Sequence, residues 1–150
     1  FMELNLALKV IGLEDDAAYG SKCRAFESST ISFLGPQEPK DLYETFRESD
    51  FFVLPTLNEN FGHAIIEALA HGCPVIISDQ TPWNDLEAFG AGWVIPLQDT
   101  QRWKAVIQEA NAMDRASYMQ MSEKAVEYCQ SKFNFSEIRQ AYLELFDAKD

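Results

Sequence analysis

Two glutamates in the middle of the chain are candidates for binding or catalysis. Glu59 follows the apolar run Phe51–Leu54 in a polar segment, and Glu67 comes eight residues later in a mostly apolar stretch. A carboxylate in apolar surroundings is costly unless it is hydrogen-bonded or reaches a polar cavity. We therefore expect both carboxylates to flank one cleft. The spacing of the two glutamates alone is unspecific. The alternative is that Glu59 is a solvated loop residue and that Glu67 is a partly exposed helix residue.

The residues between these glutamates indicate a helix start that suits an anion. Phe61, Gly62 and His63 open a helix predicted to run to about His71, and its first N–H groups and positive dipole end favour negative charge. His63 is either a donor to phosphate or sugar, or a surface or packing residue. Residues 51–100 contain no Lys or Arg, so backbone dipoles or another segment must supply positive potential.

Other reactive or aromatic side chains are predicted to be structural. His71 precedes Gly72 and is read as a helix-terminal residue. Cys73 precedes an apolar run and is read as core, because no His–Asp arrangement supports a nucleophile. Trp83 and Trp93 are read as core or cleft-wall packing. No His, Cys and Asp cluster has metal-ligand spacing, so we predict no metal site.

Short apolar runs alternate with helical patterns along the chain. The predicted strands are Leu6–Ile11, Ile31–Leu34, Phe51–Leu54, Val75–Ile77 and Trp93–Ile95. Apolar runs without polar alternation are typical of strands buried on both faces. The sequence therefore predicts an α/β fold, a Rossmann-like parallel sheet with helices on both faces. Ligands of such sheets bind outside the carboxyl ends of strands, where the segment with Glu59 lies.

Capping signals predict further helices. Thr81 is read as an N-cap with Pro82 at the first helical position. Two long helices are expected after it, with apolar stripes across residues 118–128 and 138–146 and Ser136 as the N-cap of the second.

Composition limits the class of protein. The 150 residues are 47% hydrophobic, which suits one globular domain, and we expect a single domain over 1–150. The net charge of −12 argues against a nucleic-acid binder. No apolar run is long enough for a transmembrane helix. Three scattered cysteines favour a reducing compartment, so the expected location is cytoplasmic.

The segment 58–76 resembles the nucleotide-sugar site of a known family. Between Glu59 and Val75 it meets every fixed position of the pattern E-x-F-G-x-x-x-x-E-A-x-A-x-G-x-P-V. That pattern is the hallmark of the glycogen-synthase-like glycosyltransferases group 1 family (family 4). Similar family strands lie at Leu8–Gly12, Ile31–Gly35 and Ser49–Pro55, and Ser78–Trp83 is similar to a polysaccharide-assembly subgroup.

The resemblance implies one half of a GT-B fold, namely the C-terminal donor-binding domain. It implies a retaining enzyme that transfers a sugar from a nucleotide diphosphate sugar to a glycan or lipid-linked acceptor, with no metal or other cofactor. Glu59, as the catalytic residue, would contact hydroxyls of the donor sugar, and Glu67 the ribose hydroxyls. The other donor-binding residues would be Asn60, Phe61, Gly62, His63, Leu34 and Gly35. The backbone amides at the helix start would approach sugar and diphosphate, and the end of the second strand would border the nucleobase.

Two parts of the family pattern have no counterpart in the sequence. One is the N-terminal acceptor domain. The other is the strand that opens the donor domain, whose Arg and Lys neutralise the diphosphate and which lies in the middle of the family's sheet. We therefore expect a fragment of a longer enzyme that is inactive alone. The expected partners are the nucleotide sugar, the acceptor and a membrane surface contacted peripherally by the full-length enzyme, with no nucleic acid. The alternatives are a nucleotide-sugar epimerase-like enzyme and a non-catalytic α/β interaction domain.

Overall fold

The computed structural model describes residues 6–133, which form five strands and six helices. The strands are β1 (Leu8–Ile11), β2 (Ile31–Gly35), β3 (Phe52–Leu54), β4 (Val75–Ser78) and β5 (Gly92–Ile95). The helices are α1 (Ala17–Arg24), α2 (Pro39–Glu48), α3 (His63–Ala70), α4 (Leu86–Phe89), α5 (Thr100–Ala112) and α6 (Arg115–Lys132). The chain divides into two compact units, and the division falls within α2, between Glu44 and Thr45.

The first unit contains a two-stranded parallel sheet. β1 pairs with β2, with Leu8 opposite Ile31. The connecting helix α1 begins after Asp16, whose carboxylate accepts hydrogen bonds from the main-chain N–H groups of Ala18 and Tyr19 at 2.9 and 3.0 Å. Such a side-chain cap satisfies amide donors that have no partner within the helix. The result is the strand–helix–strand unit that the alternating pattern predicts.

The second unit contains a three-stranded parallel sheet in the order β3-β4-β5. The central strand β4 places Val75 opposite Phe52 on one side and Gly92 on the other. All four residues of β4 are buried, although the strand ends in the polar Ser78. A strand that is buried throughout needs cover on both faces of its sheet.

Helices provide that cover. On one face Ile76 and Trp93 pack with Val106 of α5. Because side chains alternate along a strand, Val75 and Ile77 lie on the opposite face, and both are fully buried. α3 contacts β3 and β4 and packs against α6. The predicted α/β fold, with parallel strands flanked by helices, is confirmed.

Several expectations about helices are confirmed. α3 ends with His71 as its C-cap, and Gly72 follows with a left-handed φ of 72°. The stripe across residues 118–128 lies on α6, where Ala125 and Tyr128 are fully buried. Helix ends marked by glycine are favoured because glycine adopts the left-handed conformation without steric cost.

The predicted helix start at Thr81 and Pro82 is wrong. α4 begins at Leu86, five residues after Thr81. The hydroxyl of Thr81 instead accepts a hydrogen bond from the main-chain N–H of Trp83 at 3.3 Å, and the main-chain N–H of Leu86 donates to the carbonyl of Trp83 at 3.3 Å. The Thr81 hydroxyl thus stabilises a turn, a local alternative to helix capping.

Two further elements differ from the sequence analysis. α5 was not predicted as a separate helix, and β1 begins at Leu8, two residues later than expected. The second expected long helix, with Ser136 and the stripe 138–146, lies outside the described residues. Among helices in residues 6–133, none is long and apolar enough to cross a membrane.

Candidate functional site

Most predicted site residues lie in the loop between β3 and α3, residues 55–62, which we call the site loop. It leaves the sheet at the carboxyl end of β3. Thr56 forms a local turn there, since its hydroxyl donates to the carbonyl of Asn58 at 2.9 Å and accepts from the N–H of Asn58 at 3.3 Å. The carboxyl end of a parallel strand is where α/β sheets bind ligands.

Glu59 is half-buried, and its carboxylate accepts hydrogen bonds from main-chain N–H groups at the start of α3. The Oε1 atom accepts hydrogen bonds from the main-chain N–H of Gly62 at 3.0 Å and of Phe61 at 3.4 Å. The main-chain N–H of Glu59 donates to the carbonyl of Gln80 at 3.0 Å. Main-chain groups therefore hold this carboxylate in place. Two of the three amides that the family resemblance assigns to the donor are bonded to Glu59.

Gly62 is the N-cap of α3 and has a left-handed φ of 80°. A Cβ at this position would lie 2.8 Å from Cδ1 of Ile65, 3.1 Å from Nε1 of Trp83 and 3.3 Å from Cγ of Glu59. The left-handed conformation favours glycine, and the three neighbouring side chains would have to shift to admit a larger residue. The Gly62 carbonyl accepts from Ile65 and Ile66 and starts the helical hydrogen-bond pattern.

Phe61 and His63 form an aromatic pair at the helix start. Their ring centroids are 4.7 Å apart, and the Phe61 ring is 40% exposed. His63 and Asn60 are exposed. Three of the predicted donor-binding side chains are thus accessible, within or directly beside the site loop.

Glu67 lies on α3, one turn after the helix start. It is half-buried, while its neighbours Ala68 and Leu69 are fully buried. Within the described part of the chain, its carboxylate forms neither a hydrogen bond nor an ion pair. The carboxylate oxygens therefore remain able to accept hydrogen bonds from hydroxyl groups of a ligand.

The last two predicted residues, Leu34 and Gly35, lie in the first unit at the carboxyl end of β2. Leu34 is 43% exposed. Gly35 has a left-handed φ of 67°, and no atom lies within 4 Å of the position of a Cβ. Gly35 also borders a cleft of about 360 Å³ beside α1. Other residues that line this cleft are Gly12, Glu14, Asp16, Tyr19, Arg24 and Phe33.

This cleft contains residues that the sequence analysis missed. Arg24 pairs with Glu14 at 2.9 Å and lies 5.4 Å from the ring centroid of Phe33. Both ionised groups are about half-exposed, so the pair adds little stability. Their position in the sequence could have identified them, because Gly12 and Glu14 lie within three residues of the carboxyl end of β1, where α/β sheets bind ligands.

The residues predicted to be structural are confirmed in that role. Cys73 is buried, and burial raises the pKa of its thiol to about 12, which makes it a poor nucleophile. Trp83 and Trp93 are buried. The Nδ1–H of His71 donates a hydrogen bond to the carbonyl of Glu67 at 2.7 Å, in its helix-terminal position. Across residues 6–133, no group of three or more His, Cys, Asp or Glu side chains is arranged to hold a metal ion.

Comparison with known proteins identifies relatives of this chain. The family model "Glycosyl transferases group 1" matches residues 2–128. A D-inositol 3-phosphate glycosyltransferase of Nocardia farcinica is 30% identical over 122 residues, which cover 81% of this chain and 27% of that protein. The same enzyme of Rhodococcus opacus is 40% identical over 82 residues, or 54% of this chain and 18% of that protein.

Solved structures show the same fold. HepE of Anabaena, determined in complex with UDP-glucose, superposes with a TM-score of 0.76 at 20% identity, over 95% of this chain and 41% of HepE. WaaG, a glycosyltransferase involved in lipopolysaccharide biosynthesis, gives a TM-score of 0.72 at 19% identity, over 94% of this chain and 38% of WaaG. The chain spans about a quarter of the length of the curated relative from Nocardia farcinica. From the match over residues 2–128, the chain belongs to the glycosyl transferases group 1 family.

Proposed function

We propose that this chain is the donor-binding domain of a longer, retaining glycosyltransferase with two domains. The enzyme transfers a sugar from a nucleotide diphosphate sugar to a glycan or lipid-linked acceptor bound through its N-terminal domain. The observation that carries this proposal is the placement of two carboxylates around α3. Glu59, in the site loop, accepts a hydrogen bond from the N–H of Gly62 at the helix start, and Glu67 lies on the helix with no hydrogen bond to its carboxylate in the described residues. Family membership does not favour an epimerase-like enzyme or an interaction domain.

Each site residue has a role in this proposal. Glu59 is the catalytic residue and accepts hydrogen bonds from the hydroxyls of the donor sugar, while Glu67 accepts from the ribose hydroxyls. Asn60, the aromatic pair Phe61–His63, and Gly62 surround the sugar and diphosphate. For Leu34 and Gly35 in the first unit, we propose that they border the nucleobase.

Charge explains what the chain contributes to the reaction. The nucleotide diphosphate departs as an anion, so catalysis requires stabilisation of negative charge. Residues 51–100 hold six carboxylates and no Lys or Arg. In this part of the chain, the start of α3 provides positive potential, because it is the positive end of a helix dipole. We propose that cations from another segment of the full-length enzyme complete the diphosphate site. No metal or other cofactor is part of this proposal.

We also propose a cytoplasmic location, with peripheral membrane association of the full-length enzyme. In support, Cys23, Cys73 and Cys129 all carry free thiols. Unpaired cysteines are typical of proteins from reducing compartments.

Nucleotide binding tests the proposed function. Thermal unfolding of the full-length enzyme is measured with uridine diphosphate and with guanosine diphosphate. A ligand at 100 times its Kd adds about 2.7 kcal/mol to the free energy of unfolding. We expect one of the two diphosphates to raise Tm. Glu67→Gln should weaken that diphosphate at least about tenfold, because a charged acceptor of the ribose hydroxyls is lost.

The matched control is Glu109→Gln, which makes the same chemical change at an exposed position of α5. It should keep the affinity of the unsubstituted protein. If neither diphosphate changes Tm, or if both variants bind equally well, the proposed donor site is wrong.

A further inference from the structure

The segment after β4, residues 79–83, runs beside the site loop and is bonded to it. The hydroxyl of Ser78, at the end of β4, donates to the carbonyl of Thr56 at 2.7 Å. The carbonyl of Gln80 accepts from the main-chain N–H of Glu59 at 3.0 Å. Further along, Nε1 of Trp83 donates to the carbonyl of Phe61 at 2.6 Å. Three successive hydrogen bonds therefore connect Ser78 and the segment after it to the site loop, which lies more than twenty residues away in sequence.

The Trp83 side chain is held in one orientation by the residues packed around it. It is 8% exposed. Its ring meets the rings of Phe61 and Tyr128 edge-on, with centroids 5.8 and 6.2 Å away. Its main-chain N–H donates to the hydroxyl of Thr81, which is also buried. An indole held on these sides presents its N–H in one direction.

The acceptor of that N–H is the peptide bond that Glu59 also contacts. The peptide between Phe61 and Gly62 has its carbonyl bonded to Trp83 at 2.6 Å and its N–H bonded to the Glu59 carboxylate at 3.0 Å. Both polar atoms of one planar group are thus occupied. Because the peptide is rigid, its orientation at the Trp83 side determines where the N–H points, and so where the Glu59 carboxylate is held.

We propose that Trp83 is a positioning residue for Glu59: it orients the Phe61–Gly62 peptide that holds the sugar-binding carboxylate. This inference rests on the proposed function for its effect on substrate. Glu59 contacts the sugar in that proposal, whereas Glu67 contacts the nucleotide. Loss of the Trp83 hydrogen bond should therefore weaken binding of a nucleotide sugar more than binding of the nucleotide diphosphate alone.

The experiment compares Trp83→Phe with Trp103→Phe. The first variant keeps an aromatic ring and loses the N–H donor. The second is the matched control, because Nε1 of Trp103 is buried and has no hydrogen-bond acceptor in the described structure. If Trp83→Phe does not fold, benzothienylalanine at this position replaces the N–H by sulfur and keeps the size of the indole.

The first measurement needs no ligand. Hydrogen exchange of the Gly62 amide, followed by NMR, reports on its bond to Glu59. We expect exchange to be at least about tenfold faster in Trp83→Phe, equivalent to about 1.4 kcal/mol, and unchanged in Trp103→Phe. Unchanged exchange of Gly62 in Trp83→Phe would overturn the proposal, whether or not the protein binds nucleotides.

The second measurement compares the diphosphate that raises Tm with its glucose ester. Trp83→Phe should weaken the ester about tenfold and leave the diphosphate within about twofold, a difference that general loss of stability would not produce. Equal weakening of both ligands would contradict the positioning role. Binding of neither ligand by the unsubstituted protein would reject the proposed function, while Gly62 exchange would still decide whether Trp83 orients the peptide.

Discussion

Gly92→Ala is expected to lower the free energy of unfolding by more than about 4 kcal/mol, which few single substitutions do. Gly92 is the first residue of β5 and lies opposite Val75 of the central strand. A Cβ at this position would be 2.0 Å from the carbonyl oxygen of Val75 and 2.9 Å from its nitrogen, and the φ of 150° is one that side chains rarely adopt. Backbone atoms in a strand pair cannot move away without breaking the sheet.

Gly90→Ala is the matched control for this prediction. Gly90 has a left-handed φ of 85°, but its Cβ would meet only Cγ of Lys124, at 4.0 Å. That variant should cost about 1–2 kcal/mol, the usual cost of a left-handed conformation. Urea denaturation of both variants measures the difference. If both variants lose the same free energy of unfolding, the close contact with Val75 is not the reason that position 92 requires glycine.

Glu59→Ala should reduce kcat of the full-length enzyme by about 100- to 1000-fold, in line with the loss of one group that stabilises a transition state. Under the proposed function, the Glu59 carboxylate accepts hydrogen bonds from hydroxyls of the donor sugar and holds the sugar in place as the diphosphate leaves. The alanine variant also releases the amides of Phe61 and Gly62. Steady-state transfer kinetics provide the measurement.

Glu59→Gln separates charge from geometry. The glutamine side chain keeps an oxygen that can accept from Gly62, so slow exchange of that amide should persist while kcat falls. Glu109→Gln, on the exposed side of α5, is the control and should retain full activity. Activity of Glu59→Ala within about threefold of the unsubstituted enzyme would remove Glu59 from the catalytic role.

The sequence predicted those elements that depend on residues close together in the chain. Unbroken apolar runs identified β3 and β4, because such runs are typical of strands with both faces covered. All of β4 is buried, whereas β3 is half-buried. Gly72 marked the end of α3, since a left-handed residue stops a helix. Glu59 and Glu67 were chosen from their chemistry and surroundings, and the structure places both on or beside the start of one helix.

What the sequence missed depends on contacts between distant residues. Thr81 has the residue type of an N-cap, but its hydroxyl accepts from Trp83, whose ring is buried against Phe61 and Tyr128. No local sequence pattern shows that the Trp83 ring packs against these two distant residues. In the same way, the two hydrogen bonds of Glu59 Oε1 depend on the path of the site loop, which Gln80 helps to fix through its carbonyl.

The most direct test of the donor site is an amide map of the protein by NMR during titration with the diphosphate and its glucose ester. We predict the largest chemical-shift changes at residues 59–63 and at Glu67, with those at 59–63 larger for the ester than for the diphosphate. Saturation with either ligand and no change at these residues, or changes confined to other elements of the chain, would contradict the assignment of the site to this loop and helix.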